Sequence, residues 1–207
     1  MGRIVVSENV TLDGVVQDPA GAEGFKHGGW VGRVGDKGRE EAAKVLLDET
    51  LGAEALLWGR RTYEFLAERW PSRSGELAAR MNGMPKYVVS STLEHPGWNN
   101  TTVLKGDVVN KVSELKQEIA GDIVVAGSIR LVRTLVEHDL VDELRLMVYP
   151  VVLGTGERLF GEISDRKPIR RVDARTVDDD LAYLVYQLVR KSPAAVAGRQ
   201  RSPSAQQ

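Results

Sequence analysis

Two short, wholly apolar runs constrain this chain more than any other feature: Ala55-Leu56-Leu57-Trp58, and Ile123-Val124-Val125-Ala126 behind Asp122. Each is too short for a core helix. The first is bounded by Gly52 and Gly59, and the second is followed by Gly127. A strand that is apolar at every position has no face to offer water, so both runs predict central strands of a largely parallel sheet covered on both sides.

Helical periodicity alternates with strands along the rest of the chain. Ile4-Val5-Val6 and the stretch to Leu12 predict a first strand closed by Asp13-Gly14, followed by a glycine-rich segment from Gly14 to Gly38 that carries Phe25 and Trp30. Loops of that length in compact domains are functional or disordered, and this one suits either a mobile flap over a site, ordered by a bound ligand, or a floppy surface excursion. From Asp36, Ala42, Val45, Leu46 and Glu49 recur at helical spacing up to Gly52. Arg61 to Glu68, Ser74 to Asn82, Val108 to Ile119 and Ser128 to Glu137 read as helices; Lys86 to Val89, Thr101 to Leu104 and Leu144 to Tyr149 read as strands. Trp58, Tyr63, Phe65 and Trp70 are expected in the core, where large aromatics pack. Ile169 to Val177 and Leu181 to Val189 flank Asp178-Asp179-Asp180 and predict an antiparallel hairpin. The expected architecture is therefore an α/β three-layer sandwich with a mainly parallel mixed sheet, in one domain over 1–191. A Ser-, Ala-, Arg- and Gln-rich tail over 192–207 is expected to be disordered.

Several function classes are set aside by composition. A formal net charge of −1 from 28 basic and 29 acidic residues gives no general grip on nucleic acid. No segment has membrane-spanning length, and Met1-Gly2-Arg3-Ile4-Val5-Val6 has neither the charged head nor the apolar stretch of a signal peptide. With no cysteine and three widely separated histidines, no metal site is expected and a cytoplasmic location is the default.

Chemistry concentrates where strands end. Gly59-Arg60-Arg61-Thr62-Tyr63-Glu64 joins a buried strand to a helix, bringing backbone N–H groups, a hydroxyl and two guanidinium groups together in a phosphate-binding arrangement. Ser90-Ser91-Thr92 follows another strand, and Ala126-Gly127-Ser128 sets a glycine between a buried strand and a helix start. Taken singly, each also reads as ordinary capping or turn chemistry. Neither G-x-G-x-x-G nor the Walker pattern is present.

Across residues 3 to 190 these segments resemble the dihydrofolate reductase-like superfamily, and more closely the reductase domain of the bifunctional riboflavin-pathway deaminase-reductases. The marks are Thr11-Leu12-Asp13-Gly14, the GRRTYE turn, Val89-Ser90-Ser91, the AGS turn, and Tyr149-Pro150-Val151-Val152-Leu153-Gly154-Thr155-Gly156 ahead of Leu159-Phe160. The resemblance implies an NADPH-dependent reductase acting on a pyrimidine, pterin or similar ring, as a homodimer. By residue match it assigns Gly59, Arg60, Thr62, Ser90, Ser91, Gly127 and Ser128 to NADPH. Asp13, Pro150, Leu153 and Gly154 fall to the substrate side, with Asp13 and Glu41 as candidate catalytic acids and bound water as an alternative proton source. Asp13 also reads as a plain Asp-Gly turn.

Dihydrofolate reductases carry a pterin-binding acid early in the helix before the GR-x-T strand, where Ala42 stands here behind Glu40 and Glu41. Two alternatives follow from that departure: a non-catalytic nucleotide-binding protein on the same fold, or a folate reductase in which Glu40 or Glu41 reaches the pterin. The chain also has no H-x-E and no cysteine for a deaminase zinc site, so a stand-alone reductase with its own substrate is expected.

Overall fold

A computed structural model describes residues 1–178 and 180–189; Asp179 of the expected turn and the expected tail over 192–207 lie outside the described residues. The chain runs β1 (Arg3–Thr11), α1 (Asp36–Gly52), β2 (Ala53–Gly59), α2 (Arg60–Ala67), α3 (Glu76–Gly83), β3 (Lys86–Val89) and β4 (Thr101–Leu104). It continues through α4 (Val108–Glu118), β5 (Asp122–Val125), α5 (Ile129–Glu137), β6 (Val141–Tyr149), β7 (Ile169–Asp178) and β8 (Leu181–Leu188). One sheet of eight strands results, in the order β4-β3-β2-β5-β1-β6-β8-β7. Pairs from β4 through β6 are parallel, and β8 runs antiparallel to both β6 and β7. This is the three-layer mixed sheet that the apolar runs and the C-terminal hairpin imply.

The apolar runs resolve into two faces. Along β2, Ala55 and Leu57 enter one core while Leu56 and Trp58 enter the other. Along β5, Ile123 and Val125 join Ala55 and Leu57, and Val124 joins Leu56 and Trp58. The first core is closed by Val112 and Leu115 of α4 and by Leu131, Val132, Leu135 and Val136 of α5. The second is closed by Tyr63 of α2 and Met81 of α3, with Trp98 stacked on Trp58 at 5.8 Å between ring centroids. Phe65 and Trp70 are only half-buried, each lying under an arginine, Arg69 and Arg73.

A third cluster changes two expectations. Trp30, Met147, Tyr149, Leu181, Tyr183 and Val185 form it, with Ala42 and Val45 of α1 packed against them. Trp30, expected on a flap over a site, is buried: its indole N–H donates to the Gln17 carbonyl at 3.0 Å and its ring meets Tyr149 edge-on at 5.2 Å. The surrounding loop is organised by buried Asp18, whose carboxylate accepts from the N–H groups of Ala22, Glu23 and Phe25. Along α1, Leu46 faces solvent while Glu49 is buried, accepting hydrogen bonds from the hydroxyls of Ser7 and Tyr183. Polar contacts thus do much of the docking of α1 that its apolar spacing seemed to promise.

Lys86 is the largest charged group in the second core. Its ammonium donates to the carbonyls of Asn82 (3.1 Å), Met84 (2.8 Å) and Asn99 (3.0 Å), and sits 4.7 Å from the Trp98 ring centroid. Burial lowers its pKa to about 8, while three carbonyls and an aromatic face match the three donors of the ammonium. One side chain therefore ties the end of α3 to the β3–β4 loop. Lys86→Met, which keeps the stem but leaves three carbonyls without their donor, is expected to cost about 3 kcal/mol, measured as a drop in the urea unfolding midpoint.

Candidate functional site

The sheet order places the crevice. α2 leaves β2 toward the face closed by Tyr63, and α5 leaves the neighbouring β5 toward the face closed by Leu131 to Val136. Adjacent parallel strands whose helices depart to opposite faces open a gap at their carboxyl ends, where α/β folds bind ligands. β5 also stops early. It pairs β1 only from Arg3 to Val6, whereas β6 follows β1 as far as Thr11. Beyond Val6, the β5-side edge of β1 has no strand partner among the described residues, and the gap extends along it.

Gly59, Thr62, Gly127 and Ser128 meet in this gap. The Gly59 N–H donates to Ser128 Oγ at 2.9 Å, and the Ser128 N–H donates to Thr62 Oγ1 at 3.0 Å. Gly127 has φ +68°, a conformation that favours glycine, and a Cβ built on it would crowd Thr62 Cγ2 at 3.1 Å. Ser128 is itself left-handed (φ +60°) at the N-terminus of α5. Its hydroxyl is spent on Gly59, so it does not cap its own helix, and the N-cap of α2 is Gly59, which has no side chain. Two helices thus start side by side with no side-chain cap on the N–H groups of their first turns. Such paired N-termini attract anions.

Arg60 stands at the rim. Its guanidinium donates to Glu64 Oε1 and to Thr92 Oγ1, both at 2.6 Å, and joins α2 to the β3 exit. Ser90 is buried, its hydroxyl accepting from the N–H groups of Thr92 and Leu93, whereas Ser91 is exposed. All seven residues assigned to the cofactor side lie on the exits of β2, β3 and β5, three consecutive strands in the sheet.

The substrate-side residues are arranged differently. Asp13 is a latch. Its carboxylate accepts from Thr11 Oγ1 (2.6 Å), Leu153 N–H (3.2 Å) and Gly154 N–H (2.8 Å), and these bonds, the Thr11 hydroxyl first, hold its pKa below the ordinary value. An ionised carboxylate so engaged is not a proton donor, and the N–H groups of Leu153 and Gly154 are already committed to it. Pro150 is exposed directly after β6, ending the strand rather than bulging within it. Glu41 pairs with Lys44 on the exposed side of α1, apart from Asp13.

One residue of the crevice was not singled out by the sequence reading. Glu8 follows Ile4 and Val6 at the two-residue strand period on the buried face of β1, and that phase is the signal that could have found it. Its Oε1 is buried and has no hydrogen-bond partner. Burial raises its pKa to about 8, partly offset by the backbone N–H of Gly127. Among the described residues no group of three or more His, Asp or Glu side chains could hold a metal ion, and no helix is long and apolar enough to cross a membrane.

Two outcomes follow from these geometries. Asp13→Ala, which strips two N–H groups and a hydroxyl of their acceptor, is expected to loosen the segment after β6 and expose it to limited proteolysis between Pro150 and Arg158, with a loss of about 2 kcal/mol in stability. Glu8 binds a proton more tightly folded than unfolded, so its contribution to stability is full below pH 4.5 and declines as pH rises toward 8. Glu8→Gln should therefore gain on the parent chain across that window, by on the order of a few kcal/mol at its upper end, read from unfolding midpoints at several pH values.

Comparisons with known proteins bear on the fold and the family. The RibD C-terminal domain family matches residues 3–183. YyaP of Bacillus subtilis, an uncharacterised protein, is 27% identical over 196 residues, covering 89% of this chain and 94% of its own. A putative riboflavin biosynthesis protein from Shewanella sp. PV-4 has the same fold, with a TM-score of 0.71 at 21% identity over 91% of this chain and 99% of its own. Dihydrofolate reductase from Enterococcus faecalis, solved with NADP(H), superposes with a TM-score of 0.58 at 15% identity over 90% of this chain and 96% of its own. The fold is thus dihydrofolate reductase-like, and with almost its whole described length matched, the chain belongs to the RibD C-terminal domain family.

Proposed function

We propose that the chain is an NADPH-dependent reductase that delivers hydride to a C=N or C=O carbon of a small heterocycle of the pyrimidine or pterin type. The observation that carries this reading is the pair of side-chain-uncapped helix N-termini at the β2/β5 gap, where Gly127, left-handed, packs closely on Thr62. These residues fit a pyrophosphate: open N–H groups supply donors, both helix dipoles favour negative charge, and the absent Cβ lets the Gly127 turn close on Thr62, which keeps the two N-termini adjacent. When bound, NADPH supplies the hydride. The protein's share is to bind, orient and shield, so no strong nucleophile is required.

Arg60 supplies charge at the rim. It already bridges Glu64 through Nε and Thr92 through Nη1, and its Nη2 group can donate to a phosphate without leaving the site. Asp13 acts indirectly, by holding the Leu153-Gly154 turn against the exit of β1. A folate reductase is the weaker reading: Ala42 packs against the Trp30 and Tyr149 cluster and brings no carboxylate, and neighbouring Glu41 is held by Lys44.

Titration with NADPH and separately NADH, followed by quenching of the four tryptophans, tests the proposal, since Trp58 directly precedes Gly59 at the crevice. NADPH is expected to bind, and Arg60→Ala to weaken it roughly tenfold through loss of about 1.5 kcal/mol of charge-assisted bonding. Absence of binding by either nucleotide would overturn the reading.

A further inference from the structure

Glu8 is a glutamate carboxyl on the core-facing side of β1, in phase with Ile4 and Val6 on one side and Val10 on the other. It stands two residues beyond Val6, the last β1 residue paired to β5, and therefore at the level where the crevice opens. The Gly127 backbone lies near enough to lower the pKa of its carboxyl, which places Glu8 beside the turn assigned to the pyrophosphate. The residue as a whole is half-buried, but Oε1 is fully buried and unpartnered. An unmade bond of this kind costs about 1–3 kcal/mol, a cost that a ligand bringing a matching polar group would remove.

Direction follows from the sheet order. The phosphate-compatible groups sit on the exits of β2 and β5, and β1 is the next strand over. A ligand whose phosphates rest on those exits and which extends toward β1 presents its phosphate-free end to Glu8. A carboxyl that keeps its proton at neutral pH does not repel the phosphates beside it, and both of its oxygens can bond a neutral amide or hydroxyl.

We propose that Glu8 is a recognition residue of the crevice, whose carboxyl hydrogen-bonds the uncharged nicotinamide riboside end of the dinucleotide, through its carboxamide or a ribose hydroxyl. The proposal rests on the reading of the crevice as an NADPH site. It is tested by titrating the parent chain, Glu8→Leu and Glu8→Gln at neutral pH with NADPH and with its phosphorylated ADP half, which lacks the nicotinamide riboside. Glu8→Leu should weaken NADPH about tenfold while leaving the ADP half within about twofold, and Glu8→Gln, uncharged and of the same shape, should recover most of the loss. Equal effects of Glu8→Leu on both ligands, or none on either, overturn the assignment of Glu8 while leaving the cofactor reading intact. Binding of neither ligand to the parent chain defeats the cofactor reading and this proposal with it. If Glu8→Leu does not fold, infrared difference spectra decide. The carboxylic acid C=O stretch, identified by its loss in Glu8→Gln, should shift when NADPH is added and stay fixed with the ADP half; a band unmoved by NADPH overturns the proposal.

Discussion

The interaction on which the crevice depends is the pair of bonds that Ser128 makes across it, accepting from the Gly59 N–H and donating its own N–H to Thr62. These bonds tie the exits of two neighbouring strands whose helices must part to opposite faces. Without a cross-tie, the two turns would be held only by their own strands. With it, Gly127 is pressed against Thr62, Ser128 is held in a left-handed conformation that costs on the order of 1–3 kcal/mol, and both helices begin with their N–H groups open. A hydroxyl used between strands is unavailable as a helix cap, so one residue choice both braces the gap and leaves it receptive.

The latch at Asp13 is a separate device on the same edge. Thr11, Leu153 and Gly154 converge on one carboxylate, while the Leu12 N–H donates to the Val151 carbonyl and the Leu159 N–H donates to the Gly14 carbonyl. The exit of β1 and the chain after β6 are thereby zipped together. The Thr-Leu-Asp-Gly and Leu-Gly-Thr-Gly segments, far apart in sequence, are the two halves of one contact, and that gives a structural reason for their joint presence here.

Much of the fold was legible because burial on both faces leaves a plain mark: a run such as Ala55 to Trp58 has no polar position, and nothing else in a chain this size explains it. The strand-exit turns were legible for a similar reason, since glycine followed by hydroxyl or arginine at a helix start has few other uses. What escaped were polar residues doing buried work. Glu8 stands between Ser7 and Asn9, and three polar residues in succession hide which face is inside. Glu49 fitted an apolar spacing for the wrong reason, being buried through Ser7 and Tyr183 rather than through hydrocarbon contact. Asp18 before Pro19 belongs to no motif, yet it gathers three N–H groups. The partners of Glu49 sit on other elements and those of Asp18 are backbone N–H groups, and a single chain read in order reveals neither.

The Asp18 knot has an architectural consequence. Because its carboxylate satisfies the backbone of the bend and Trp30 anchors the far end against Tyr149, the long connection between β1 and α1 is footed at two points inside the protein, while Gly21 to Gly24 between them is exposed. A loop built in this way separates foundation from tip. Side-chain substitutions at the tip leave the Ala22 and Glu23 N–H groups on Asp18 and can alter what the surface presents, so that one scaffold can carry variable outer walls across a lineage.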